Sequence, residues 1–435
     1  MTELMQPLKR PIVGTFIHYS VIKKLKKQKY NFKSYTRLLE LAKASVEAGV
    51  TLFFFSIKDF DFRQNLIFGT SYDIDSNQWR QDYYPLPDVL FKRGDEGSNK
   101  FIIEHIEDIL NQHHVIKVNS QSYFDKWEVY RDLSKIDSAS KYLPHSVLYQ
   151  EENDLKNFLK QNNEAYLKGV RGGRGRWIFR IQKKPKGKFE YSYFVNKMVT
   201  GQAESWEDLV KEISKFFGER KFIIQKEIKL IKINDSKVDF RAELQRDGEG
   251  KLNIIGVSAR IGKNQSPITI HSSAYPIEIF LKEVLNYPDL LLKELMAKVH
   301  HFLFTIYESL EKVYGTFGEM GIDFGIDQDG EIWFIEPNSK SAKVSLMKAY
   351  DQETFHQAFL NPLLFSKYLY MKKSNESDKS SGRMWEYDCD DCGDCCDCCE
   401  CCDCDDYDGC DDCCDCCDCC DCDGCDDCDD CDDHE

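Results

Sequence analysis

The sequence predicts an α/β body followed by a separate acidic, cysteine-rich tail. Strand-like runs alternate with helical patterns from the start of the chain, and an Asp-Gly turn joins two apolar strands near residue 330. The composition then changes abruptly after residue 387. At 435 residues the chain is too long for one compact core, so we expect two or three domains.

Residues 1–120 carry the first alternation of strands and helices. Apolar residues recur at helical spacing over 34–49, and Gly49 is a suitable C-cap for that helix. Four short apolar runs around it are typical of strands and lie at 11–20, 51–57, 87–93 and 114–119. Because strand, helix and strand follow one another, we expect a parallel sheet with helices against it.

Residues 121–371 form the predicted second domain, followed by a polar, Ser-rich linker at 372–387 and the tail at 388–435. Helical patterns in the second domain cover 205–218 and 290–315. The tail holds all 20 cysteines and 23 acidic residues, with no Lys or Arg. The first 387 residues therefore keep 51 acidic against 58 basic residues, a net charge of about +7.

The most informative segment is the predicted hairpin at residues 318–343. Asp329-Gly330 is a strong two-residue turn signal, and counting outward from it places Asp323 opposite Glu336. Alternation puts Asn338 on the same face, and it pairs Phe324 with Ile335 and Ile326 with Trp333 on the other face. Two opposed carboxylates repel, so either a hard cation such as Mg²⁺ offsets them or the face is solvated.

A second segment combines glycines and cations at residues 164–181. A strand ending near Lys168 leads into a loop whose backbone N–H groups could bind an anion. A phosphate site, a nucleic-acid contact and a flexible hairpin would all fit this pattern. The loop contains Arg171, Gly172, Gly173, Arg174, Gly175 and Arg176.

Residues 238–245 alternate cleanly, with Arg241 on the face opposite the apolar side chains. The next strand-like run reaches Arg260 and Lys263. These cations could converge on a transferring phosphoryl group or an acyl phosphate. A cross-strand salt-bridge face that uses Asp239 and Glu243 is the alternative.

These segments together resemble the ATP-grasp superfamily, and the Asn-Ser-Lys ending of the hairpin resembles its YheC/YheD-like, endospore coat-associated members. The resemblance covers the chain to about residue 370, and the motifs occur in the family's order. It implies an ATP-grasp fold preceded by an N-terminal α/β domain, with ATP and Mg²⁺ as cofactors. The resemblance also allows for two Mg²⁺ ions.

The resemblance also implies roles for individual residues. It assigns Asp323, Glu336 and Asn338 to Mg²⁺, and Arg241, Arg260 and Lys263 to the transferring phosphoryl group. It assigns the nucleotide to a set of residues that begins at Lys126. That set is completed by Lys168, the glycine-loop residues Arg171, Gly172, Gly173, Arg174 and Gly175, and the adenine contacts Gln225, Lys226 and Ile228.

The implied chemistry is the ATP-dependent joining of a carboxylate to an amine, or to a thiol, through an acyl phosphate. No Ser/His/Asp or Cys/His nucleophile set is evident in the first 387 residues, which contain no cysteine. We therefore expect a ligase that makes ADP and phosphate. The alternative is a spore-coat structural or metal-binding protein with an ATP-grasp body.

The tail has three interpretations, and the resemblance does not choose among them. Its aspartates could be the peptide substrate, carried in cis or offered by a similar acidic peptide, with a free amino acid as the amine. Its clustered thiols could bind Zn²⁺ or Cu⁺. Its cysteines could also be linked by disulfides into a coat or matrix.

Location and partners follow from what the sequence lacks. There is no apolar run of 18 residues, and the N-terminus has no signal-peptide pattern. We expect a cytoplasmic protein with no membrane partner, and the resemblance adds an association with the endospore coat. A net charge of about +7 on 387 residues is modest, so we do not expect nucleic-acid binding.

Overall fold

The computed structural model describes residues 10–94, 99–173, 176–195, 197–262 and 273–382, and these form helices and strands throughout. The strands are β1 Ile12–Phe16, β2 Thr51–Phe55, β3 Phe60–Asp61, β4 Leu66–Asp73, β5 Gln78–Tyr84, β6 Val89–Lys92, β7 Ile116–Lys117, β8 Ser146–Leu148, β9 Glu164–Gly169, β10 Ile178–Lys183, β11 Phe189–Phe194, β12 Met198–Ala203, β13 Phe222–Lys226, β14 Lys232–Ile233, β15 Ser236–Arg246, β16 Leu252–Ile261, β17 Ser273–Pro276, β18 Glu319–Ile326 and β19 Ile332–Asn338. The α-helices are α1 Tyr19–Lys26, α2 Tyr35–Ala48, α3 Lys100–Gln112, α4 Lys126–Leu133, α5 Asp137–Ser140, α6 Glu152–Gln161, α7 Trp206–Phe217, α8 Ile277–Ile279, α9 Asp289–Tyr314, α10 Val344–Ala349 and α11 Gln352–Gly382.

The first sheet confirms the predicted parallel α/β layer. Strand β1 pairs in parallel with β2 and β6, and β6 pairs in parallel with β7. Helix α2 ends at Gly49, whose φ of 68° is left-handed, as the C-cap prediction requires. The antiparallel β4–β5 hairpin at one side of this sheet was not predicted.

The second sheet is antiparallel, in the order β12-β11-β10-β9-β13-β8. Helices α6 and α7 cover it, and their apolar stripes pack with the strands in one core that includes Leu155, Phe179 and Phe217. Ser205 caps α7 by accepting a hydrogen bond from the N–H of Asp208, as its position predicted. This layer presents β9 and β13, which carry three of the predicted nucleotide residues, namely Lys168, Gln225 and Lys226.

The third sheet runs β17-β16-β15-β18-β19, with β14 beside β15. One face of β15 carries Val238, Phe240, Ala242 and Leu244, and these pack in one core with α9. The other face of β15 carries polar side chains, so the predicted alternation is confirmed. It is this polar face that builds the candidate site.

The β18–β19 hairpin confirms the predicted pairing of Asp323 with Glu336, although the turn differs from the prediction. The Asp327 side chain accepts hydrogen bonds from two backbone N–H groups, those of Asp329 and Glu331, and this widens the turn to three residues. A register shift after Asp323 compensates for the extra residue. The predicted apolar pairs were therefore wrong, and the structure instead pairs Phe324 with Phe334 and Ile326 with Ile332.

Helix α11 continues to Gly382, so it runs into the segment 372–387 that composition predicts as a linker. The tail lies outside the described residues, and so do the three predictions made for it. Within the described ranges, no helix combines the length and apolar character that a membrane crossing requires.

Candidate nucleotide and metal site

A cleft that is open to solvent separates the second sheet from the β19 edge of the third. Its polar lining brings together residues that are far apart in the sequence, and apolar side chains complete the lining. Four of the lining side chains were predicted as site residues, namely Lys126, Lys168, Gln225 and Glu336. The remaining lining residues are Val129, Tyr130, Leu143, Pro144, Ile223, Phe334, Ile335 and Pro337.

Lys126 connects three parts of this cleft. Asp125 caps helix α4, which fixes where the Lys126 side chain begins. Its ammonium lies 2.8 Å from the Glu336 carboxylate and donates to the Gly172 carbonyl at 2.9 Å. Lys126 is thus held between the glycine loop and Glu336, the predicted metal ligand.

Lys168 lies on β9 and donates to the Gln225 side chain at 2.5 Å. Burial lowers the pKa of Lys168 to about 8, and the Glu336 carboxylate opposes that effect. The nearby cations Lys126 and Lys237 lower the pKa further. An anion that binds beside this partly desolvated ammonium would stabilise its charged form.

Asp323 is buried beneath two arginines. The Arg241 guanidinium bonds both carboxylate oxygens, and Arg260 lies 3.2 Å from one of them. Burial raises the pKa of Asp323, but the two guanidiniums outweigh it and hold the pKa at about 2. Arg260 also bonds Asp239 at 2.7 Å, so the salt-bridge alternative for this face is realised together with the predicted convergence of the two arginines.

The residues predicted for Mg²⁺ form a donor set that suits the ion. Asp323 and Glu336 are paired across β18 and β19, and Asn338 follows on β19. The buried amide nitrogen of Asn338 has no hydrogen-bond partner among the described residues. A 180° rotation of the amide would exchange this nitrogen for the amide oxygen. The donor set would then consist of two carboxylates and one amide carbonyl oxygen.

The glycine loop is described only in part. Arg171 is exposed and lies 3.8 Å from the Asp125 carboxylate. Gly172 has a φ of 136°, a backbone conformation that other residues rarely adopt, whereas a Cβ at Gly173 would meet nothing within 4 Å. Arg174 and Gly175 lie outside the described residues, as does the predicted catalytic Lys263.

The predicted adenine contacts divide into two groups. Gln225 lines the cleft and donates to the Ser146 hydroxyl at 2.9 Å. Lys226 is exposed and Ile228 is half-buried, and neither is a lining residue of the cleft. The structure therefore brings Gln225 to the other site residues and leaves Lys226 and Ile228 beyond the cleft lining.

Sequence reasoning missed a buried ionic cluster beside Arg241. Lys343 and Arg93 both pair with Glu319, and the Ser341 hydroxyl bonds Glu243. Strand alternation placed Glu243 on the face of Arg241, which is the one signal that could have found it. No local pattern connects Arg93, which follows β6 in the N-terminal sheet, with Ser341, which lies 248 positions later.

The arrangement is a site in which fixed cations are already matched by carboxylates. Lys126 faces Glu336, while Arg241 and Arg260 face Asp323. An incoming polyphosphate can take the cations and an incoming metal ion can take the carboxylates, so the site can bind both together.

A family model and two curated relatives match most of this chain. A model described as YheC/D like ATP-grasp matches residues 115–369, which is more than half of the chain. The chain is 24% identical over 340 residues to the endospore coat-associated protein YheD of Bacillus subtilis strain 168, covering 77% of this chain and 73% of that protein. It is 22% identical to YheC of the same organism, covering 78% of this chain and 93% of that protein.

Two solved structures are similar in fold. VanG D-Ala:D-Ser ligase from Enterococcus faecalis has a TM-score of 0.49 and 14% identity, covering 83% of this chain and 100% of that chain. An ADP complex of N5-carboxyaminoimidazole synthetase from Staphylococcus aureus has a TM-score of 0.48 and 12% identity, covering 82% and 78%. On the strength of the family match, the chain belongs to the YheC/D-like ATP-grasp family.

Proposed function

We propose that this chain is a magnesium-dependent ATP-grasp ligase that activates a carboxylate as an acyl phosphate. The observation that carries the proposal is the convergence of Lys126, Lys168 and Glu336 on one cleft between two sheets. In a YheC/D-like ATP-grasp chain, that convergence supports a bound nucleotide whose phosphates lie between the two lysines.

The reaction balances in two steps. A substrate carboxylate oxygen attacks the γ-phosphorus of ATP, the bond to the β-γ bridging oxygen breaks, and ADP leaves. An amine then attacks the acyl carbon and loses a proton, and phosphate leaves as the amide forms. Since no covalent protein intermediate is needed, the protein's task is to orient the reactants and offset charge.

The residues of this chain divide that task. Lys126 and Lys168 hold the phosphates of the nucleotide. Gln225 orients Lys168 by accepting a hydrogen bond from its ammonium. Arg241 and Arg260, with Lys263, would neutralise the oxygens of the transferring group. Mg²⁺, held by Asp323, Glu336 and Asn338, would offset the charge of the phosphates when bound.

For the substrate we propose Asp side chains of an acidic peptide, either the chain's own tail or one like it. A carboxylate-activating body joined to 23 acidic side chains supports this choice. The tail contains no Lys, Ser or Thr, so an amide requires an external amine such as a free amino acid. A thioester would use a Cys thiol instead.

The test is the intact mass of the purified full-length chain after incubation with ATP, Mg²⁺ and a mixture of amino acids. Each amide adds the mass of one amino acid less one water. We expect repeated additions on the wild type and none on Glu336→Ala. Asp329→Ala is the matched control, because Asp329 is an exposed acid at the tip of the same hairpin.

Two outcomes would count against parts of the proposal. Nucleotide binding and ADP release without any mass addition would retain the ligase and discard the tail as its substrate. Equal mass additions on wild type and Glu336→Ala would discard the site assignment.

The second candidate function is that of a coat-associated structural or metal-binding protein, with Zn²⁺ or Cu⁺ on the tail. The names of the two Bacillus relatives, both called endospore coat-associated, favour it. Absence of MgATP binding to the purified chain, together with metal retained on the tail by elemental analysis, would support this candidate over the ligase.

A further inference from the structure

The Ser341 hydroxyl is buried beside Arg241 and has all its hydrogen-bonding capacity in use. It donates to the Glu243 carboxylate at 2.5 Å and accepts from Arg241 Nη1 and from the Lys343 N–H, both at 3.4 Å. A hydroxyl offers one donor and two acceptor positions, so this set is complete. Ser341 is only 1% exposed, which leaves it no role in direct contact with solvent or a diffusing substrate.

The space for this contact is built into the neighbouring strand. Gly321 on β18 is the partner of Glu243 on β15. A Cβ at Gly321 would lie 3.1 Å from the Ser341 side chain and 3.2 Å from Arg241 Cδ. The missing side chain therefore lets Ser341 and Arg241 lie against the sheet together.

Glu243 is a buried carboxylate, 2% exposed, two residues along β15 from Arg241. A buried charge must be matched by hydrogen bonds and opposite charges. Ser341 supplies the hydrogen bond, and three cations lie close enough to interact with it, namely Arg93, Arg241 and Lys343. Glu243 thus fixes the direction of the Ser341 hydroxyl, whose lone pairs then face Arg241.

The main chain of Ser341 is held as firmly as its side chain. Arg93 donates to the Ser341 carbonyl, and Arg37 donates to the Ala342 carbonyl at 2.9 Å. Both arginines belong to the N-terminal part of the chain. They anchor the segment that follows Asn338, so Ser341 does not move freely when Arg241 changes partner.

We propose that Ser341 and Glu243 are positioning residues that keep the Arg241 guanidinium aligned for the terminal phosphate of ATP. Arg241 uses Nε and Nη2 on Asp323 and only Nη1 on Ser341. When a phosphate replaces Asp323 as its partner, the Ser341 contact remains and sets the plane of the guanidinium. This inference rests on the proposed nucleotide site and adds to it the residues that orient Arg241.

The test compares a non-hydrolysable ATP analogue with ADP by calorimetric titration in excess Mg²⁺. We expect Ser341→Ala to weaken the analogue about tenfold and ADP by less than about twofold, since the variant loses the hydrogen bond that aligns Arg241, and in the proposal Arg241 contacts only the terminal phosphate. Ser339→Ala is the matched control, a buried serine of the same segment whose backbone carbonyl accepts a hydrogen bond from Asn119, a contact that the substitution keeps. Glu243→Gln should give a smaller loss in the same direction.

A double-mutant cycle separates positioning from independent binding. Because Ser341 acts through Arg241, Ser341→Ala should weaken the analogue no further in an Arg241→Gln background. Additive losses, or equal losses of the analogue and ADP, would overturn the proposal. If Ser341→Ala does not fold, Glu243→Gln in the same cycle decides the matter. A wild-type chain that binds neither nucleotide would refute the proposed function itself.

Discussion

The ammonium of Lys126 lies between the Glu336 carboxylate, at 2.8 Å, and the Gly172 carbonyl, at 2.9 Å. One side chain therefore joins the predicted metal ligand to the glycine loop. If a metal ion binds Glu336, Lys126 loses its carboxylate partner, and if a phosphate binds Lys126, Glu336 loses its ammonium partner. Each event makes the other more favourable.

This relationship predicts that metal and nucleotide bind cooperatively. Titration calorimetry should show weak binding of Mg²⁺ alone and of ATP with a chelator, and much tighter binding of the two together. In Lys126→Met the affinity for Mg²⁺ alone should rise about tenfold, equivalent to ~1.4 kcal/mol, because Glu336 no longer has a competing partner. The affinity of the same variant for MgATP should fall.

Lys135→Met is the control for that experiment, since Lys135 is an exposed lysine that pairs with Asp132 beyond the cleft. Unchanged Mg²⁺ affinity in Lys126→Met would show that the ion pair does not compete with the metal.

The lowered pKa of Lys168, at about 8, predicts a pH dependence of nucleotide binding. The ammonium is charged below pH 8 and neutral above it, so ATP affinity should decline as pH rises through about 8. In Lys168→Arg the decline should be absent over pH 7–9, because the guanidinium stays protonated. Fluorescence titrations at several pH values would measure this, and parallel curves for the two proteins would contradict it.

The lowered pKa of Lys168 affects stability in the opposite direction to its effect on nucleotide affinity. The unfolded chain binds this proton up to pH 10.5, while the folded chain releases it near 8. Stability should therefore gain a contribution between pH 8 and 10.5 while nucleotide affinity is lost. Measuring both in the same pH series separates the two effects.

The two described glycines of the loop should respond differently to substitution. Gly172→Ala forces a side chain into a φ of 136° and places its Cβ 3.0 Å from Trp177. Strain of about 1–3 kcal/mol should displace the carbonyl that Lys126 contacts and weaken ATP binding about tenfold. Gly173→Ala has open space and should bind ATP within about twofold of wild type, which a direct titration would establish.

His356 on α11 lies between Glu40, at 2.6 Å, and Glu47, at 2.9 Å. Burial lowers the pKa of His356, but the two carboxylates outweigh it and the net shift is upward. The stability that the folded protein gains from charged His356 between these carboxylates is therefore fully present below about pH 6.5. It is lost as the pH rises through the raised pKa of His356. Compared with His356→Gln, the wild-type Tm should fall by about 2 °C more between pH 6 and 8.

Local patterns predicted much of the third sheet and its hairpin. Alternation along β15 placed Arg241 on the polar face, and turn counting paired Asp323 with Glu336. The pairing held although the turn did not, because the register shift cancelled the extra turn residue. Asp327 decides that turn through side-chain hydrogen bonds, and a count from Asp329-Gly330 carries no information about a residue two positions before it.

The buried cluster at Ser341 could not be predicted in the same way. Its members come from β15, β18 and the segments that follow β6 and β19, so only the packed sheets bring them together. A sequence pattern records periodicity within one element. It does not record which charges from different elements share a buried volume.

The contacts of Arg93 and Arg37 define what must be made in the laboratory to study this protein. The family match begins at residue 115, after both arginines. A fragment cut at that boundary would leave the segment after Asn338 without two of its anchors and Glu319 with one cation fewer. The smallest expressible unit is therefore longer than residues 115–369, and a gene shortened to that range should yield an insoluble or inactive product even though every predicted phosphate-binding residue is retained.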